Sequence, residues 1–497
     1  MAVAANTYRN YIDGAWVDSE SGEQFEDTNP ATGELIGSFP RSTTADTDRA
    51  VAAAHQAYAS WRLYPAPKRA EILFKVAELL RDRKPELTRT MTQEMGKVLA
   101  EAGGDVQEGI DMTYYMAGEG RRMFGQTVPA EMPDKFAMSV RQPMGVVAVI
   151  TPFNFPMAIP TWKLMPALVT GNTAVFKPAG DTPLLGEMLV QIFEEAGLPK
   201  GVINIVHGGG ATVGQRLLEH PDVKIVTFTG SKETGIHVAR TGAETLKRVH
   251  LELGGKNAII VMDDADLDNA VEGILWSAFG TSGQRCTAAS RVIVHERVYD
   301  GLAAKLVERA ESLRIGNGLD PEVDVGPLIH QAALDKVHRY TGIARDEGAE
   351  ILTGGEHYTN GEKGFFYRPT IYGRVERDMR VATEEIFGPA TALIPCRDLE
   401  DAIAISNRVE YGLSSAIYTD DVNAAFRAIR DLDTGITYIN AGTIGAEIQL
   451  PFGGTKYTGN GHREAGTAAL DTYTEWKSVY VDYSGKLQRA QIDNQPS

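Results

Sequence analysis

Residues 145–206 read "GVVAVITPFNFPMAIPTWKLMPALVTGNTAVFKPAGDTPLLGEMLVQIFEEAGLPKGVINIV". Three short β-branched runs, "GVVAVI" (145–150), "NTAVF" (172–176) and "VINIV" (202–206), alternate here with helical stretches. Strand, helix, strand at this spacing calls for parallel βαβ units. Thr182 is placed to cap the second helix with Pro183 at its first position, and Gly197 with Pro199 closes it after "LLGEMLVQIFEEA".

Outward from this stretch, "KIVTFT" (224–229) continues the series. A second series begins at "NAIIVM" (257–262) and "RVIVH" (291–295), followed by the helix "YDGLAAKLVERAESL", which predicts a second α/β unit. Upstream, residues 45–82 carry two helical patterns, including "APKRAEILFKVAELLRDR", with apolar positions at three- and four-residue steps. Segments 126–143 and those after 472 fit neither series and read as an excursion and a tail. No short-period repeat or low-complexity tract interrupts the pattern.

A chain of 497 residues predicts two or three packed units. Hydrophobic residues at 43% and charged residues at 23% are those of a globular protein. No apolar run of about 18 residues occurs, and the start "MAVAANTYRNYIDG" lacks the layout of a secretion signal, so a cytoplasmic location is expected. The net charge of −17 argues against nucleic acid or an anionic membrane as partner. Any anion must be held by local positive groups.

Two cysteines are too few for a disulfide framework. Cys396, ending the apolar "TALIPC", reads as core. Cys286 lies in "SGQRCTAASR" (282–291), where Gly280 and Gly283 permit close backbone approach and Arg285 offers a charge that favours a thiolate. It is either a small buried hydrophobe or a nucleophile. Glu252, in "HLELGGKNAIIV", sits among apolar residues before a Gly-Gly turn; it is either a desolvated general base or a strand-end glutamate paired with a lysine. Asn154, in "TPFNFPMAIPTWK", is either an oxyanion donor or a turn residue. No metal site is expected.

Together these stretches resemble the aldehyde dehydrogenase superfamily over nearly the whole chain. The motifs "PFNFP", "FTGSKETG", "LELGGKN", "GQRCTAASR", "EEIFGP" and "PFGGTKYTGNGHREAG" occur in the family's order. The resemblance implies two Rossmann-like doubly wound α/β domains and a small β oligomerisation excursion. Their expected bounds are 1–125 with 144–253 for the cofactor-binding domain, 254–453 for the catalytic domain, and 126–143 with 472–492 for oligomerisation. It implies Cys286 as nucleophile, Glu252 as deacylating base, Asn154 with the Cys286 N–H as oxyanion donors, and Lys163 with Glu475 as a pair assisting proton movement. A homodimer or homotetramer follows from the same likeness.

For the cofactor, a nicotinamide dinucleotide, it implies Gly230 and Ser231 of "FTGSKETG" at the pyrophosphate, Lys177 at the adenosine ribose, Phe153 in the same site, and Glu385 and Phe387 on the nicotinamide side. Read alone, the Gly-Ser turn is equally an ordinary helix cap. Many NAD-preferring relatives carry a glutamate three residues after the lysine, where this chain has Gly180. Its absence opens the site to NADP alongside NAD and favours NADP, while the neighbouring Asp181 either enters the site or starts the helix.

On the substrate side, Phe155, Trp162 and Phe452 are expected to form an apolar barrel, with Thr287 and Ile448 also binding the substrate. Arg285 would meet a terminal carboxylate, or else form a structural salt bridge. The loop "GTIGAEIQLPFGG" resembles that of semialdehyde dehydrogenases, with 2-oxoglutarate semialdehyde as the leading substrate. Two alternatives are a coenzyme-A-acylating relative, which typically lacks the deacylating glutamate, and a non-catalytic binding protein on the same fold. A Cys-His hydrolase is disfavoured because no histidine sits in a motif placing it near Cys286.

Overall fold

The computed structural model describes residues 6–359, 361 and 363–493. Two seven-stranded sheets organise it. In the first, five parallel strands run in the spatial order Arg248–Glu252, Val223–Thr229, Val146–Ile150, Thr173–Lys177, Ile203–Ile205. The N-terminal hairpin Asn10–Ile12 and Ala15–Val17 extends it antiparallel. Val146–Ile150 and Thr173–Lys177 are buried at every position, as strands covered on both faces must be. The covering helices include Thr44–Trp61, Ala66–Asp82, Leu99–Glu119 and Ala158–Thr170.

The second sheet has the order Glu350–Thr353, Thr370–Gly373, Ala390–Cys396, Ala289–His295, Asn257–Val261, Ser414–Tyr418, Ile436–Ile439. All its pairings are parallel except the first. Glu252 ends an edge strand of the first sheet and Asn257 opens a central strand of the second, so "LELGGKN" is the crossing between them. The chemistry-bearing residues gather at that crossing, off the ends of parallel strands.

The excursion and the tail find each other. Lys135–Pro143 pairs antiparallel with Thr474–Asp482 along nine residues, and Gln126–Val128 adds a third strand. This sheet exposes Val128, Phe136, Trp476, Tyr480 and Val481. One expected cap differs. Thr182 stands at the start of Pro183–Glu195 without a side-chain bond, and the buried Glu94 accepts from the N–H groups of Leu184 (2.5 Å) and Leu185 (3.1 Å) instead. Among the described residues no helix is long and apolar enough to cross a membrane.

Candidate active site

Helix Leu267–Phe279 ends at Gly280, and a single tight turn, Gly280–Gly283, leads to Cys286. Thr281 (φ 53°) and Ser282 (φ 54°) adopt left-handed backbone that side chains other than glycine and asparagine rarely accept. Surrounding contacts fix them there. Glu101 accepts from the Thr281 N–H at 2.9 and 2.8 Å, and the Ser282 hydroxyl donates to the Gly326 carbonyl at 2.7 Å. Gly283 (φ +68°) would place a Cβ 2.0 Å from the Gly388 carbonyl oxygen, so only glycine fits.

Asparagines hold the loop on either side of the sulfur. Asn154 Nδ2 donates to the Gln284 carbonyl at 3.0 Å, and Asn257 Nδ2 donates to the carbonyls of Cys286 (2.7 Å) and Ala288 (3.0 Å). The backbone of Asn154 is anchored in turn. Its carbonyl accepts from Lys97 Nζ at 2.7 Å, Lys97 pairs with Asp105 at 3.0 Å, and Asp105 accepts from the Ala158 N–H at 2.7 Å.

The Cys286 thiol is pushed up to about 12 by desolvation and then by Glu252 and Glu385, against the backbone N–H groups of Thr287 and Cys286 itself. It is therefore neutral at rest. The charge expected from Arg285 does not reach it, because Arg285 Nη2 pairs with Glu101 at 3.0 Å and its Nε donates to Thr281 Oγ1 at 2.9 Å. Cys396 is sealed in the second core, as expected of it.

Glu252 is 3% exposed, and neither carboxylate oxygen has a hydrogen-bond partner among the described residues. Burial pushes its carboxyl well up, Glu464 adds to this, and Lys163 and Arg463 oppose it. Behind Glu252, Lys163 Nζ donates to Thr227 Oγ1 at 3.0 Å and forms a buried ion pair with Glu464. The expected partner, Glu475, is elsewhere. It lies in the edge strand Thr474–Asp482, where its largely exposed side chain accepts from Arg248 at 2.5 Å. The chain leaves the core at Tyr473, so Glu475 belongs to the peripheral sheet, whereas Glu464 is still inside.

Cys286, Glu252 and Thr287 open onto a cavity of about 320 Å³. Phe155, Trp162 and Phe452 form its apolar wall, with the Trp162 and Phe452 rings edge to face at 4.9 Å. Ile448 is not in that wall. It packs against the first core, and Ile444, Gly445 and Ala446 of the same loop line the cavity instead. Helix Leu99–Glu119 presents Glu101, Asp105 and Glu108 to the cavity from one face. Glu101 and Asp105 are paired as described, and Glu108 is pushed up to about 8 by burial and by Asp105.

On the opposite side of the crossing, the Gly230 N–H donates to the Glu252 carbonyl at 3.1 Å and Ser231 caps helix Lys232–Ala243. Lys177 is 7% exposed, and burial lowers it to about 8. A Cβ on Gly180, Gly209 or Gly210 would meet nothing within 4 Å, so the floor beside Lys177 is open. Asp181 is pushed up by burial, opposed by His330 and Lys177. Glu385 accepts from the Gly255 N–H at 2.9 Å, and Phe387 meets the Phe153 ring edge-on at 6.1 Å. A capped helix start, a buried lysine and an open glycine floor fit the pyrophosphate and ribose of a dinucleotide.

The sequence model of the aldehyde dehydrogenase family matches residues 16–479. The chain belongs to that family. An alpha-ketoglutaric semialdehyde dehydrogenase of Bacillus subtilis is 43% identical over 479 residues, 96% of this chain and 98% of that protein. The NADP-dependent succinate-semialdehyde dehydrogenase of Escherichia coli is 41% identical, covering 95% of this chain and 97% of its own. A crystal structure of Staphylococcus aureus betaine aldehyde dehydrogenase with NAD+ superposes with a TM-score of 0.94 at 34% identity, covering 97% of this chain and 95% of that one. The protein is thus an NAD(P)-dependent aldehyde dehydrogenase. Beyond the residues expected of one, the structure brings Glu464, His250, Asn257, Glu101, Lys97 and Glu108 into or behind the site. Glu464 lies within "GNGHREAG", a stretch carrying the resemblance, Asn257 ends "LELGGKN" and His250 opens "HLELGGKNAIIV"; Glu101, Lys97 and Glu108 stand in no motif that marks them.

Proposed function

We propose that this aldehyde dehydrogenase oxidises a semialdehyde bearing a distal carboxylate, with 2-oxoglutarate semialdehyde the leading candidate, to the corresponding acid. The observation carrying this reading is the charge balance of the cavity. Arg285 and Lys97 offset Glu101 and Asp105, and desolvation pushes Glu108 up to about 8, which lowers the negative charge that this three-carboxylate face presents to an anion near neutral pH. Arg285 Nη1 has no hydrogen-bond partner among the described residues and is free to donate to an incoming carboxylate. The semialdehyde relatives point the same way.

In the reaction, the Cys286 thiol gives up its proton to solvent water as its sulfur bonds to the aldehyde carbon, and the resulting oxyanion accepts from Asn154 Nδ2 and the Cys286 N–H. What the bound nucleotide supplies is a hydride acceptor, so that the thiohemiacetal on Cys286 becomes a thioester. Gly230, Ser231, Lys177, Phe153, Glu385 and Phe387 are the residues that would hold it. Glu252 then takes a proton from water as the water oxygen bonds to the acyl carbon, the carbon–sulfur bond breaks, and Glu252 returns that proton to the leaving sulfur, which regenerates the thiol. The open floor at Gly180 supports a preference for NADP over NAD. The exposed apolar side chains of the three-stranded sheet support a homodimer or homotetramer, and two free cysteines agree with a cytoplasmic location. The test is a panel of aldehydes of equal length, with and without a terminal carboxylate, scored by reduced nucleotide with NAD and NADP in parallel. A higher kcat/KM for neutral aldehydes would defeat the reading.

A further inference from the structure

His250 lies two residues before Glu252 on strand Arg248–Glu252, so both side chains leave the same face. It is 1% exposed. Its Nε2 is 3.6 Å from Glu252 Oε1, and its Nδ1 is 3.6 Å from Glu464 Oε1. The Nε2 atom and both oxygens of Glu252 are buried without a hydrogen-bond partner among the described residues, and two orphans face each other across that gap. Unpaired polar atoms in a core are costly, and a small rotation of the carboxylate pairs these two.

The surrounding bonds assign the ring's proton. Lys163 can only donate, and it does so to Thr227 Oγ1 at 3.0 Å. The Thr227 hydroxyl proton is then available to His250 Nδ1, 3.2 Å away. With Nδ1 accepting, the neutral ring carries its hydrogen on Nε2, directed at Glu252. The ring stays neutral because burial, then Lys163, His462 and Arg463, all disfavour a second proton. His462 meets the ring edge-on at 5.8 Å.

We propose that His250 is a positioning residue for deacylation, its Nε2–H donating to the Glu252 carboxylate and holding the base in its ionised form ahead of the Lys163–Glu464 pair. The inference rests on Glu252 being the deacylating base. A buried carboxylate beside Glu464 is hard to ionise, and one neutral N–H donor stabilises the charged form without adding a charge that would trap it. The titratable groups facing the two are Lys163, Glu464, Arg463, His462 and Cys286, with Tyr473 beyond Thr227, and none donates a hydrogen bond to Glu252 among the described residues.

The experiment follows the burst of reduced nucleotide, which reports acylation, and the later steady rate, which reports deacylation, across pH 5 to 10 in the full-length enzyme. His250→Phe should leave the burst intact and move the acid limb of the deacylation rate upward by about one to two pH units, a roughly ten- to hundredfold loss below it. His250→Gln, which keeps an N–H donor but does not titrate near neutrality, should return the limb to within about half a unit of the parent. A parental limb in His250→Phe overturns the proposal, as does loss of burst and steady rate together in both variants. Glu252→Gln, run alongside, separates the two ideas. If it turns over at the parental rate, the base assignment fails; if it stalls after the burst while His250→Phe keeps the parental limb, only the role of His250 fails.

Discussion

The two ends of the substrate cavity are built on opposite rules. At the matched end, formed by helix Leu99–Glu119 with Arg285 and Lys97, charges are offset pair by pair: Arg285 with Glu101 and Lys97 with Asp105, while desolvation pushes Glu108 up. At the reacting end, both oxygens of Glu252, His250 Nε2 and Trp162 Nε1 have no hydrogen-bond partner within bonding distance among the described residues, and even a donated N–H from His250 leaves most of the carboxylate's accepting capacity open. A recognition surface gains from groups already oriented by their partners, because little must be reordered when the ligand arrives. A base must keep a lone pair free for a proton not yet released, and at most one neutral donor eases the cost of burying it.

If the reacting end is the chemical one, the largest loss comes from its sulfur. Cys286→Ala should lower turnover by more than about a thousandfold while nucleotide binding, followed by fluorescence titration, survives. Cys396→Ala, inside the second core, should leave the rate near parental. Next in size, Glu252→Gln should give a full burst followed by a steady rate lower by roughly a hundred- to ten-thousandfold, with the acyl-enzyme detectable by intact-protein mass spectrometry.

At the matched end, losses should be smaller and selective. Arg285→Ala should raise KM for a semialdehyde acid about ten- to a hundredfold more than for a neutral aldehyde of equal length. Equal damage to both substrates would make Arg285 only a brace for Thr281 and Glu101. Glu108 supplies a pH test of the same end. Its carboxyl is neutral below about 8 and gains a negative charge as pH rises through that value, so KM for the anionic substrate should climb a few-fold between pH 7 and 9 in the parent. Glu108→Gln should flatten that climb. At the nucleotide floor, Gly180→Glu, for which there is room, should move the NADP to NAD ratio of kcat/KM toward NAD by roughly tenfold through repulsion of the 2′-phosphate.

The parallel cores were legible because runs such as "GVVAVI" and "NTAVF" are short, β-branched and punctuated by helix caps, all local signals. The loop of Cys286 and the strand of Glu252 were legible because their motifs coincide with element ends. What was not legible depends on contacts far apart in sequence. The glutamate partnering Lys163 lies 301 residues away, and only the path of the chain past Ala465 decides that Glu464 stays inside while Glu475 does not. The brace on Arg285 is likewise distant, since Glu101, which holds its Nη2, lies 184 residues upstream. Capping of Pro183–Glu195 by Glu94 rather than Thr182 is a substitution of the same kind. Ile448 was assigned to the cavity from its loop, and a turn within that loop exchanges it for Ile444.

The nine-residue pairing of Lys135–Pro143 with Thr474–Asp482 bears on the order in which the molecule matures. A ribosome releases the first of these strands more than three hundred residues before the second, so during synthesis the excursion carries an open edge with no mate from its own chain. Glu464, which completes the buried pair behind the base, emerges in the same late window. The last tenth of the polypeptide thus closes the peripheral sheet and finishes the catalytic interior together. A nascent chain stalled before residue 464 would hold the cysteine loop and much of the dinucleotide floor, yet lack the acid that pairs with Lys163.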